Sequence, residues 1–135
     1  MHKKPALAAD AVVFDRDGRL LLIRRKNPPF KGRYALPGGF VEYGETVEAA
    51  AARELNEETG LSAKSQRLIG VYSNPKRDPR GHVVSIAYLM RVDAARPKGG
   101  DDAAAAEFVA DWRDKKLAFD HDRIVADALR MIERA

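Results

Sequence analysis

Hydrophobic and polar positions alternate between two periods along the chain. Ala11 to Asp15 and Leu20 to Arg25 are apolar, β-branched-rich runs separated by Asp15-Arg16-Asp17-Gly18, whose Asp-Gly pair favours a tight hairpin turn, so these runs are expected to pair as strands. Asn27-Pro28-Pro29 ends the second run. Tyr34-Ala35-Leu36 is a short extended stretch leading into Pro37-Gly38-Gly39, a loop whose two glycines widen the backbone's choices. From Thr46 the period becomes helical: Thr46 can cap the first turn, the alanines propagate the helix through Thr59, and Gly60 supplies a left-handed stop. Arg67 to Ser73 and Val83 to Val92 read as strands around the Pro- and Arg-rich segment Asn74 to His82. Asp93 to Ala106 is expected to be irregular and Glu107 to Trp112 a further strand. A final helix begins at Asp120, burying Ile124, Ala128, Met131 and Ile132 on one side. Trp112, Phe108 and Met131 are expected core residues. Strands, helix, strands, helix without an internal repeat point to α+β, an α/β/α sandwich.

The 135 residues, 45% hydrophobic and 33% charged, suit one domain spanning 1–135 and exclude disorder and coiled coil. With no cysteine there can be no disulfide framework, thiolate zinc site or cysteine nucleophile, so a metal would have to sit on oxygen or imidazole. Pro5 and Asp10 interrupt the N-terminal apolar stretch, no run approaches a bilayer span, and the chain reads as cytoplasmic without a membrane partner.

Charge is distributed unevenly. Residues 39–61 hold six glutamates against Arg53 and carry −5, which leaves +9 elsewhere on a chain of net +4. A basic body around an acidic cluster suits a divalent cation and an anionic ligand. No Lys/Arg-rich helix or stripe with interleaved aromatics appears, so nucleic acid is not the expected partner.

Val47, Ala51, Glu54, Leu55 and Glu58 fall on one side of the predicted helix, and Glu57 lies three residues beyond Glu54. Arg53 can reach Glu57 at i+4, which leaves Glu54 and Glu58 without a counter-charge on the side expected to face the protein. A hard cation with oxygen ligands resolves that conflict.

Gly39, Glu45 and the run Arg53-Glu54-Leu55-Asn56-Glu57-Glu58-Thr59-Gly60-Leu61 match every fixed position of the Nudix box, G-x5-E-x7-R-E-U-x-E-E-x-G-U with U apolar. The chain therefore resembles the Nudix hydrolases. The resemblance implies a sandwich around a mixed sheet and hydrolysis of a nucleoside diphosphate derivative with Mg²⁺ or Mn²⁺, more than one ion per site. It further implies that Glu54, Glu57, Glu58 and the Gly38 carbonyl hold metal, and that Glu45 and Arg53 brace loop against helix. Asn27 to Phe30, Val71 to Tyr88, Gly100 to Ala103 and Leu117 to His121 are similar to the small ADP-ribose pyrophosphatases of that family, which implies ADP-ribose as substrate and a homodimer. The competing expectations are a nucleoside triphosphate pyrophosphohydrolase and a non-catalytic ADP-ribose sensor, although the sequence after the last helix leaves no room for a DNA-binding domain.

Outside the box, Asp102, six residues before Phe108, is the candidate additional ligand or general base, with Asp101 next. Arg25, Gly39, Tyr72, Arg77 and Arg80 are the candidate substrate-binding residues, with Arg24 expected on the opposite face from Arg25. Phe30, Tyr34 and Tyr72 are candidates to stack on a base. His82 and His121 lack metal-pair spacing and are expected to be hydrogen-bonding or surface residues.

Overall fold

The computed structural model describes residues 3–93, 96–98 and 103–134, with the side chains of 103 and 104 excepted. Its elements are β1 (Ala6–Val12), β2 (Leu20–Arg25), β3 (Tyr34–Ala35), β4 (Gly38–Phe40), α1 (Val47–Thr59), β5 (Ala63–Tyr72), β6 (Val83–Val92), β7 (Ala103–Val109) and α2 (His121–Arg134). A single 3-10 turn, Trp112–Asp114, lies between β7 and α2.

The strands form two sheets. One has the order β4-β1-β6-β5, with β1 parallel to β6 and antiparallel to β4, and the other is the antiparallel set β3-β2-β7. The expected pairing of the first two strands is corrected. The tight turn is present, with Asp15 N donating to Arg19 O at 2.9 Å and Leu21 N to Val13 O at 2.9 Å. Yet β1 starts at Ala6, ends at Val12 and is flanked by β4 and β6, so the chain crosses at this turn into the other sheet.

Strand parity then distributes the core. Ala9, Ala11, Val13 and Leu21 pack with Ala50, Ala51 and Leu55 of α1, whereas Val12, Leu20 and Leu22 pack with Ile124, Val125 and Ala128 of α2. The result is a helix on either side of mixed sheet, the expected sandwich. Each fully buried Leu or Val contributes roughly 1.5–3 kcal/mol of transfer free energy.

α1 has the predicted ends. Thr46 Oγ1 accepts from Ala49 N at 3.1 Å, and Gly60 takes φ 75° while its N–H bonds to Asn56 O. Ile132, expected to be buried, is exposed, and the buried residues of α2 are His121, Ile124, Val125 and Ala128. Trp112 is in the core as expected, and Phe108 and Met131 are partly buried. Among the described residues no helix is long and apolar enough to cross a membrane.

Candidate active site

The Pro37-Gly38-Gly39 segment becomes β4, laid between β1 and the first residues of the acidic ridge of α1. Asp10 pairs with Gly38 and Ala9 with Gly39 across the β1–β4 ladder. A Cβ on Gly38 would overlap Asp10 Oδ1, and a Cβ on Gly39 would overlap the Glu54 carboxylate. Both glycines are therefore required by carboxylates pressed against the backbone.

Arg53 ties this loop to the helix. Its Nε donates to Glu45 Oε2 at 2.7 Å, Nη2 to Glu45 Oε1 at 2.9 Å and to Phe40 O at 3.1 Å, and Nη1 to Glu54 Oε1 at 2.6 Å and Glu57 Oε2 at 3.3 Å. Hydrogen bonds from Arg53 and from the Glu42 segment hold Glu45 down at about 2. One expectation is corrected here: Arg53 neutralises Glu54 as well as Glu57, because the guanidinium lies across the ridge and not along it. Of the three acids of the ridge, Glu54, Glu57 and Glu58, only Glu58 has no hydrogen bond from it.

Glu58 is buried, and its Oε1 accepts from Gly38 N at 3.0 Å. Burial pushes its carboxyl well above the usual range, with Glu54 and Asp10 adding to the rise against the pull of the Gly38 N–H. Asp10 is also buried, and burial lifts it to about 7 against the opposing charge of Arg77 and the Ser85 hydroxyl. Two buried acids that resist ionisation beside a third carboxylate form a site short of positive charge. Its donors are all oxygens, which fits a hard divalent ion, and Glu54, Glu58 and the Gly38 carbonyl could hold one, with Glu57 at the edge. Among the described residues no three such side chains already converge at metal-ligating spacing.

A cleft of about 490 Å³ opens over this floor, lined by Asp10, Gly38, Gly39, Glu54 and Glu58 on one side and by Arg25, Arg77, Asp78, Arg80, Phe40, Phe119 and His121 on the other. Arg25 and Arg80 both approach the Phe119 ring, at 5.0 and 5.5 Å, and Arg80 also lies 5.2 Å from the Phe40 ring. Burial and the neighbouring Arg80 both depress Arg25. Burial alone would raise Asp78, but its bonds with Arg80 bring it below the ordinary value and fix that guanidinium at the cleft wall. Arg80 is matched by Asp78, whereas Arg25 gives its Nε to the Pro29 carbonyl at 2.6 Å, so two converging arginines share one paired acid and leave positive charge for an anion.

Arg77 is placed differently from the expected phosphate ligand. Its Nε and Nη2 bond to the two Asp120 oxygens at 2.9 and 2.5 Å and its Nη1 to Ser85 Oγ at 2.8 Å, so it lies under the cleft and fastens the 74–82 loop to the start of α2. Tyr72 is not brought to the cleft at all. It faces a second hollow beside α2, where its hydroxyl donates to Asp127 Oδ2 at 2.6 Å. Glu57 is exposed and does not line the cleft. Phe30 packs edge-on against Phe119 at 4.9 Å, and the Tyr34 hydroxyl donates to Glu107 at 2.6 Å while Arg24 lies over its ring, so neither presents a free face to the cleft. His82 bonds to Ser73 O at the surface, whereas His121 is buried and accepts from Leu36 N through Nδ1 at 3.0 Å. Asp101 and Asp102 lie outside the described residues. Asp10, Asp78, Phe40 and Phe119 were not anticipated; for Asp10 the signal was present, a lone acid inside an apolar strand.

The chain resembles known proteins along almost its whole length. A family model described as the NUDIX domain matches residues 4–134. An ADP-ribose pyrophosphatase of Methanocaldococcus jannaschii is 54% identical over 130 residues, covering 96% of this chain and 76% of that protein. The ADPR responsive transcriptional repressor NtrR of Acinetobacter baylyi is 33% identical over 135 residues, 94% of this chain, which spans only 54% of the repressor's length. The NUDIX domain of Shewanella oneidensis NrtR, solved as a complex with ADP ribose, superposes with a TM-score of 0.89 at 29% identity, covering 97% of this chain and 90% of that one. With the glycine-backed carboxylate ridge in place and the match running from residue 4 to residue 134, this chain belongs to the NUDIX domain family.

Proposed function

We propose that this chain hydrolyses the diphosphate bond of ADP-ribose, giving AMP and ribose 5-phosphate, with a divalent ion as cofactor. The carrying observation is the juxtaposition of a buried, charge-deficient carboxylate floor with the Arg25–Arg80 pair in one cleft. The 54% identity to an ADP-ribose pyrophosphatase supports that substrate over a nucleoside triphosphate.

Water attacks one phosphorus, the bridging P–O bond breaks, and the electron pair leaves with the other phosphate, so no covalent intermediate is required. A bound Mg²⁺ or Mn²⁺ supplies charge neutralisation of the diphosphate and acidifies the attacking water. Glu54, Glu58 and the Gly38 carbonyl hold the ion side of the cleft, Arg53 and Glu45 keep that loop in register, and Arg25 and Arg80 hold phosphate oxygens. Asp102 takes the proton from water. Its position in the sequence supports this, since β7 begins at the next residue, Ala103, paired with the cleft residue Arg25.

The test is product analysis with ADP-ribose and a nucleoside triphosphate panel in Mg²⁺. Release of AMP and ribose 5-phosphate as the fastest reaction is expected. Faster triphosphate cleavage overturns the substrate, and tight ADP-ribose binding without turnover gives the sensor reading. Assembly as a homodimer and residence in the cytoplasm are part of the same proposal.

A further inference from the structure

The polar side chains at the cleft floor are nearly all satisfied by the protein itself. Glu58 Oε1 takes the Gly38 N–H, His121 Nδ1 takes the Leu36 N–H, and Arg77 gives its donors to Asp120, Ser85 and the Val83 carbonyl. Among the described residues, two buried side-chain oxygens have no partner, Asp10 Oδ2 and Gln66 Oε1. Gln66 stands on the edge strand β5, away from the cleft, whereas Asp10 lines it while only 5% exposed.

A buried acceptor left unmet costs free energy until something donates to it. Diphosphate oxygens carry no proton to give to a carboxylate. Arg77 has no donor directed there, its guanidinium being taken by Asp120, Ser85 and the Val83 carbonyl, and the proposed ion has Glu54, Glu58 and the Gly38 carbonyl to hold it. The carboxyl cannot turn its free oxygen away, because Oδ1 is fixed against Gly38 where even a methyl group would not fit. What remains is a neutral donor carried by the ligand. A carboxylate accepting from a ribose hydroxyl is a recurrent means of reading a nucleotide's sugar.

We propose that Asp10 is a specificity residue whose Oδ2 accepts a hydrogen bond from a ribose 2-hydroxyl of the substrate. This rests on the ADP-ribose reading and adds a residue of β1, outside the box, to the set that selects the ligand. The chemistry is shared by the two riboses of ADP-ribose, and the experiment separates them.

The experiment is a double-mutant cycle. Wild type, Asp10→Ala and Asp10→Asn are measured for kcat/KM in Mg²⁺ and for binding by calorimetry in EDTA. The ligands are ADP-ribose, its analogues lacking the 2-hydroxyl of one ribose or the other, and the inosine analogue lacking the purine amine. Removing the hydroxyl that Asp10 reads is expected to cost wild type roughly tenfold and Asp10→Ala almost nothing further. The analogue showing that coupling identifies the ribose. Asp10→Asn, isosteric and still an acceptor, is expected to fold and to retain part of the coupling, so it carries the test if the alanine variant does not fold. Additive losses for both deoxy analogues overturn the proposal, as does coupling confined to the inosine analogue. Wild type that neither binds nor cleaves ADP-ribose overturns the substrate reading instead, before any variant is made.

Discussion

Arg53 Nε and Glu45 Oε2 stand 2.7 Å apart and join the helix to the loop that precedes it, with a second bond from Nη2 to Glu45 Oε1 at 2.9 Å. The geometry is a two-pronged fork that lysine cannot reproduce. Arg53→Lys is therefore expected to leave the far-ultraviolet circular dichroism unchanged while kcat falls by about a hundredfold, the scale of an ångström-sized misplacement of catalytic groups. Unchanged kcat in Arg53→Lys would show that the fork does not position the loop.

Glu58→Gln keeps an oxygen for the Gly38 N–H but removes a carboxyl whose charged form burial opposes. In EDTA its melting temperature is expected to equal or exceed that of wild type. The rise that Mg²⁺ produces in wild type should shrink or vanish, and turnover should fall by orders of magnitude. Glu57→Gln, exposed and outside the cleft, tests whether the box's outermost acid matters equally; near-normal turnover in both variants would remove the ridge from the chemistry.

Gly39→Ala places a methyl group against the Glu54 carboxylate. Because that carboxylate is held by Arg53 on its other side, it cannot swing away freely. A loss of roughly 1–3 kcal/mol in urea titration is expected, the usual cost of overpacking, together with loss of activity.

His121 is buried and neutral, and burial pushes it down to about 3 from an ordinary 6.5. An unfolded chain thus takes up a proton here that the folded one refuses, so this residue's contribution is intact above about pH 6.5 and is lost progressively toward pH 3. Asp10 acts oppositely: the folded state holds its proton up to about pH 7 and the unfolded state only to 3.8, so its contribution declines as pH rises through that interval. Unfolding free energy against pH in His121→Asn, whose amide oxygen can accept from Leu36 N, should lack wild type's decline below pH 6.5. Parallel curves for the two proteins would assign the buried proton balance to other groups.

How far the sequence reveals this site depends on local spacing. The helix from Thr46 to Gly60, its acids and the Arg53–Glu45 brace were legible because each is set by offsets within 23 residues. The sheet topology was not, since nothing in Ala11 to Arg25 records that β1 already has two neighbours. Tyr72 was misplaced for a related reason. The register of β5 against β6 shifts between Leu68 and Gly70, and a shift of one residue reverses which side of the sheet every later side chain takes. Arg77 lines the cleft as expected, but its bonds to Asp120 were not legible, because that partner lies 43 positions away. Asp10 was read only as an interruption of an apolar stretch, although an acid flanked by alanines in a strand already poses the question of what it faces.

Phe119 takes φ 54°, a backbone state uncommon outside glycine, and its ring gathers Arg25 from the end of β2 and Arg80 and Phe30 from separate loops. The acids, by contrast, are carried by a helix and a strand. On the proposed function, the loops that hold phosphate are thereby distinct from the helix that holds the ion, while Asp10 of β1 contributes to reading the ligand. Exchange of the loops around residues 26–33, 74–82 and 115–120 could retarget the enzyme toward another dinucleotide-like compound while its hydrolytic engine stays untouched.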